Sequence, residues 1–134
     1  MRDPEAFVEA WFSHASTWWA WNGLEVLSET EPQEAFRLVL ALIERASSES
    51  RLAEVATSAL TIVLTTAGDA IIPNLEREAT TNRRLRFCVT YLFQDADDPD
   101  FPGALWQRLE AIQREAEREF SSGAEPVVPA DPRP

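Results

Sequence analysis

The chain has 134 residues, 45% of them hydrophobic, with 12 basic and 23 acidic side chains, one histidine, one cysteine and a net charge of −11. A chain of this length can bury a core of its own without a metal or disulfide, and one thiol cannot close an internal bridge. The negative charge excludes nucleic acid as an expected partner, because binding phosphates depends on cations that release their counterions.

Every basic residue is arginine, which no folding principle requires and which fits a bacterial genome rich in guanine and cytosine. No run approaches the roughly 18 uninterrupted apolar residues of a membrane span, and no positively charged start leads into an apolar stretch. A soluble cytoplasmic protein is therefore expected.

From Pro4 the apolar positions Phe7, Val8, Trp11, Phe12, Ala15, Trp18 and Trp19 repeat at the spacing of an amphipathic helix. The predicted first helix puts Trp11, His14, Trp18 and Trp21 on one row and breaks at Gly23. A second begins near Thr30, where Thr30 and Gln33 have capping-box spacing and Pro32 is tolerated in the first turn. Its segment Leu38 to Ile43 is apolar nearly all round, which predicts a central position.

Ser50 is the predicted cap of a third helix with the stripe Leu52, Val55, Ala56, Ala59, Leu60, Val63 and Leu64, ended by Gly68 in the left-handed conformation. Asp69 is the predicted cap of a short fourth helix that tolerates Pro73 near its start. A fifth runs from about Asn82 and buries Leu85, Cys88, Val89 and Leu92. After the acidic run Asp95 to Asp100, a sixth carries the narrow stripe Leu105, Leu109, Ile112 and Ala116 of an edge helix.

Six helices without strand alternation predict an all-α fold, a single compact bundle of antiparallel neighbours, with HEAT-like hairpins as one variant. Residues 1–120 form the expected helical domain. Residues 121–134, with four prolines, read as a flexible tail.

Four tryptophans crowd residues 11–21. Each ring covers about 150 to 250 Å², so exposing all four would exceed the few hundred Å² of apolar patch usual on a soluble monomer. Most are expected in the core. Trp21, at the flank of the stripe and near the helix end, is the foremost candidate for a partner surface.

His14 reads as a structural or rim residue, since no second histidine exists and the carboxylates of its helix point away. Cys88 reads as a small core residue, and catalysis with His14 as its base would require the two to meet in space. Asp95 and Asp97 begin like a calcium loop, but Pro99, Phe101 and the missing glycine and terminal glutamate break that pattern. Arg83, Arg84 and Arg86 form the one basic cluster, for which salt bridges to Glu76 and Glu78 are the main expectation and recognition of an acidic partner the lesser one. No catalytic constellation, cofactor motif or metal site is marked.

The segment "ALTIVLTTAGDAIIPNLEREATTNRRLRFCV", residues 59–89, resembles the central motif of a bacterial family of small helical domains of unknown function. The matching positions are Trp11 and Trp18, Pro32, Leu60, Leu64, Gly68, Ile72, Glu76 or Glu78, Ala79 and Arg83 to Phe87, within residues 5 to 112. Where the family has Gly-Pro-Leu-Glu, this chain has Ser58, Ala59, Leu60 and Thr61, so an acidic group that would mark a shared polar site is absent. The resemblance implies a helical cytoplasmic domain and, the family being uncharacterised, lends it no activity.

The function expected from these features is that of a non-catalytic protein-binding module, such as an immunity or antitoxin-like protein, steered by its charge onto a basic partner. The alternative is a helical domain holding a small apolar ligand in a Trp-lined pocket beside His14, with Trp18 in its wall.

Overall fold

The computed structural model describes residues 4–13, 17–92, 103–121 and 127, with the side chains of Thr17 and Trp18 left aside. Its helices are α1 (Pro4–Phe12), α2 (Thr17–Thr30), α3 (Pro32–Arg45), α4 (Glu49–Val55), α5 (Thr61–Ala79), α6 (Arg83–Val89) and α7 (Gly103–Ser121). A π-helical segment, Ala56–Leu60, joins α4 to α5 in one continuous helix, Glu49–Ala79. Six helical stretches result, with no strand among the described residues, so the fold is the all-α bundle expected.

Helix α3 is central, packing on α1, α2, α4, α5 and α6. It buries Leu38, Val39, Leu42 and Ile43 and keeps Leu40 and Ala41 half covered, as a nearly all-round apolar sequence requires. The stripe from Leu52 to Leu64 is buried throughout. Helix α7 lies at the edge against α5 and α6 and buries Leu105, Leu109 and Ala116. The described core residues form one connected cluster.

The helix Glu49–Ala79 has the length and mean hydropathy, 1.6 over its best window, of a membrane span, where no segment was expected to approach one. Of that window, 56% is buried in the bundle, which is how a core helix passes the same test.

Several local expectations give way to tertiary packing. The expected first helix is two, α1 ending at Phe12 and α2 starting at Thr17, and the chain passes through Gly23 in helical conformation. On one straight helix, Trp11 and Trp21 would stand about 15 Å apart along the axis. Folded back, they stack at 5.6 Å between ring centroids and 5° between planes. Trp11 is thereby buried, a gain on the order of 4 to 6 kcal/mol before entropy.

Thr30 does not cap α3. It is the last residue of α2 and its hydroxyl donates back to Val26 O, while Gln33 reaches across to Ala70 O and Asn74. Ser48, not Ser50, caps α4, accepting from Arg51 N at 3.1 Å.

Gly68 does not end a helix. Ala67 alone leaves helical conformation (φ −142°, ψ 31°), so α5 kinks and continues through Asp69 and Pro73. Gly68 is needed for closeness instead: a Cβ there would overlap Leu105 Cδ2 of α7. The start of α6 is as expected, Asn82 accepting from Leu85 N at 3.0 Å.

A candidate binding cleft beside an exposed helix face

The packing of α1 against α2 sets the tryptophans differently from one another. Trp11 is buried, but Trp19 is 45% exposed and Trp21 39%, so the expectation that most of these indoles are core does not hold. The reason is rotation about α2. At about 100° per residue, Ala20, Leu24 and Ser28 point inward, and all three are buried. Trp19 and Val26 then lie on the opposite side, and Val26 is 53% exposed. Trp21 sits at the flank, stacked on Trp11, its indole N–H donating to Glu25 Oε1 at 2.7 Å.

Against that flank lies a cleft of about 310 Å³. One wall is aromatic, Trp11 and Phe12 from the end of α1 and Trp21 from α2. The other is polar, Arg51 and Glu54 from α4 and Thr57 and Ser58 from the π-helical segment. The Arg51 guanidinium lies over the Phe12 ring, 5.5 Å from its centroid, and makes a long 3.4 Å contact to Glu54. Thr57 donates to Ala53 O and Ser58 to Glu54 O, which leaves the hydroxyl lone pairs as acceptors.

The π-helical segment is what presents Thr57 and Ser58 here. One extra residue per turn widens the helix, and such insertions recur at functional sites because the weakened hydrogen-bond ladder is otherwise a cost. Thr61 Oγ1 bonding back to Ala56 O, five residues earlier, belongs to the same widened turn. Sequence reading missed Arg51, Glu54, Thr57 and Ser58. The apolar stripe keeps its helical spacing straight through the insertion, so nothing in it marks the site.

The other candidates separate. His14 lies outside the described residues, as does the side chain of Trp18, whose backbone belongs to α2. The run Asp95 to Asp100 and the tail also lie outside them, except Ser121, which is the last residue of α7, and Val127, whose N–H donates to Glu49 Oε1.

Arg83, Arg84 and Arg86 are engaged within the fold, but with other partners than Glu76 and Glu78. Arg86 makes a two-pronged contact with Glu119 of α7 at 2.9 and 3.1 Å and also donates to Ala79 O. Arg83 approaches Glu119 at 3.5 Å and lies over the Phe120 ring. Arg84 donates to the carbonyls of Ile43, Glu44 and Ala46, closing the C-terminal end of α3, where a cation is favourable. Glu76 pairs with Arg108 and Glu78 with Asn82. The edge position of α7 brings Glu119 to α6, a proximity that sequence spacing does not encode.

The Arg86 contact holds the Glu119 carboxyl below the usual range, and that of Arg108 lowers Glu76. Burial pushes the Cys88 thiol up to about 12, and its Sγ rests on Leu52 O, so it is a protonated core side chain rather than a nucleophile. Among the described residues, no group of three His, Cys, Asp or Glu side chains is placed to hold a metal ion.

No curated protein and no solved structure matches the chain. Residues 10–117, including α2, the central helices and nearly all of α7, match the family of unknown function DUF6869, and the chain belongs to that family.

Proposed function

We propose that this chain is a non-catalytic protein-binding module whose docking face is the outward side of α2. The observation that carries the reading is the pairing of large exposed apolar side chains, Trp19 and Val26, with a predominantly acidic surround. Residues 4 to 36 contain six glutamates and no arginine. Glu29 lies beside the stripe on α2 itself and Glu25 at the Trp21 flank, and both are exposed.

A central aromatic anchor with a charged rim is the composition of a protein interface, and the one-signed rim selects a cationic partner and speeds its approach. An acidic masking protein of the immunity or antitoxin kind, acting in the cytoplasm where a lone reduced thiol is ordinary, fits these features.

The test is capture of a basic partner by the tagged chain, compared with a Trp19→Ser, Val26→Ser double variant. Both positions face solvent, so the variant is expected to fold. Wild type is expected to retain the partner at low salt and release it as salt rises, and the variant to lose it. Equal capture by both chains, or capture indifferent to salt, would refute the reading.

A further inference from the structure

The cleft between Trp21 and the π-helical segment is distinct from the docking stripe, which lies on the other side of α2. Its lining restricts what it can take. A wholly apolar guest would strip water from the remaining donors of Arg51 and the remaining acceptors of Glu54, Thr57 and Ser58 without replacing it, which is a net cost. An anion meets one guanidinium but also Glu54, the Trp21-bound Glu25 and a molecule of net charge −11. A cation meets Arg51 at the wall, and the two nearby carboxylates are already engaged, Glu54 by Arg51 and Glu25 by the Trp21 N–H.

What remains is a neutral molecule, flat enough to lie against indole faces, with donors and acceptors along its edge. Arg51 supplies donors to that edge, and Glu54, Thr57 and Ser58 supply acceptors. At about 310 Å³ the space is at the lower end of small-ligand sites, which run from about 300 to 1,000 Å³.

We propose that this cleft binds a neutral heteroaromatic ring of the nucleobase class, stacked on Trp21 with its polar edge toward Arg51, Thr57 and Ser58. The base can come from a free nucleoside or from an unpaired position in a nucleic acid strand; a strand's phosphates would have to approach a molecule of net charge −11, so the free nucleoside is the expected source. The inference does not depend on the docking reading, since Trp19 and Val26 take no part in it.

Calorimetric titration and saturation-transfer NMR on the full chain test it, with adenosine, thymidine and a neutral methylxanthine as probes. Naphthalene serves as a flat apolar control, methyl glucoside as a polar non-aromatic one, and a short single-stranded oligonucleotide as the polymeric source. At least one heterocycle is expected to bind saturably at about millimolar or tighter, and about tenfold more weakly to Trp21→Ala and to Arg51→Met, the loss of one stacking or hydrogen-bonding contact. Far-UV circular dichroism checks that both variants fold; Arg51→Met, which leaves the Trp11–Trp21 stack in place, decides the test where Trp21→Ala disturbs α1, and Trp19→Ser is expected to bind as wild type does.

Tighter binding of the oligonucleotide than of the nucleosides assigns the base to a strand, and weaker or equal binding assigns it to a free nucleoside. Either sustains the site. Three outcomes overturn it: no saturable binding of any heterocycle, binding of naphthalene or the glucoside as tightly as the heterocycles, or heterocycle affinity unchanged by both Trp21→Ala and Arg51→Met.

Discussion

At the scale of single residues, Arg84 shows how a charge can serve packing. Its guanidinium gathers three carbonyl oxygens at the end of α3, each at 3.0 Å, in place of water at a half-buried junction. Arg84→Gln keeps some length but loses the charge and the fan of donors. It is expected to cost about 2 kcal/mol, read as a lower urea midpoint with an unchanged slope.

Gly68 is the opposite kind of case, a residue used for what it lacks. Gly68→Ala forces Leu105 to move within the core and is expected to destabilise by about 1 to 2 kcal/mol. In a Leu105→Ala background the same change is expected to be neutral or favourable, since alanine is about 1 kcal/mol better than glycine in a helix. A double-mutant cycle measures that coupling. An additive result would mean that the close approach of α5 and α7 is not what requires the glycine.

At the scale of elements, the caps show where local pattern suffices. Asn82 begins α6 because its side chain accepts the N–H three residues on, a preference readable from the residue type alone. Ser48 and Ser50 are equivalent by that rule, and the choice between them falls to the path the chain takes out of α3. Ser48→Ala is accordingly expected to cost about 1 kcal/mol and Ser50→Ala less than about 0.5, with thermal unfolding as the readout.

The kink at Ala67 and the π-helical turn at Ala56–Leu60 lie within one continuous helix. Neither interrupts the apolar stripe, so both escape a reading based on periodicity. The kink sits beside the Gly68–Leu105 contact, and the π turn beside the wall of the cleft.

At the scale of the whole molecule, the carboxylates that tie α7 to its neighbours couple the fold to pH. Glu119 and Glu76 protonate at lower pH in the folded chain than in the unfolded one. Their contribution is therefore complete above the ordinary carboxylate value of about 4.3, and is lost as pH falls below it through the folded values. Glu119, flanked by Arg83 and Arg86 and 31% exposed, outweighs the more solvated Glu76. Glu119→Gln is expected to cost about 1 kcal/mol at neutral pH and to flatten the fall in stability on acidification. Denaturant titrations at pH 7 and in the acid range decide this, and parallel pH dependences for wild type and variant would remove the assignment.

Sequence alone determined the helical class, most of the core and the start of α6, because these follow from interactions within a few residues: the repeat of apolar side chains every three or four positions and the reach of a capping oxygen. Leu52 to Leu64, Leu85, Cys88 and Val89 lie where that repeat puts them. Tertiary structure decided the rest. The reversal between α1 and α2 follows from stacking Trp11 on Trp21, the arginine cluster finds Glu119 rather than its near neighbours in the chain, and the cleft joins α1 and α2 to a helix some 30 residues further on. Each depends on residues that meet only after the chain has folded back, and no local period records that.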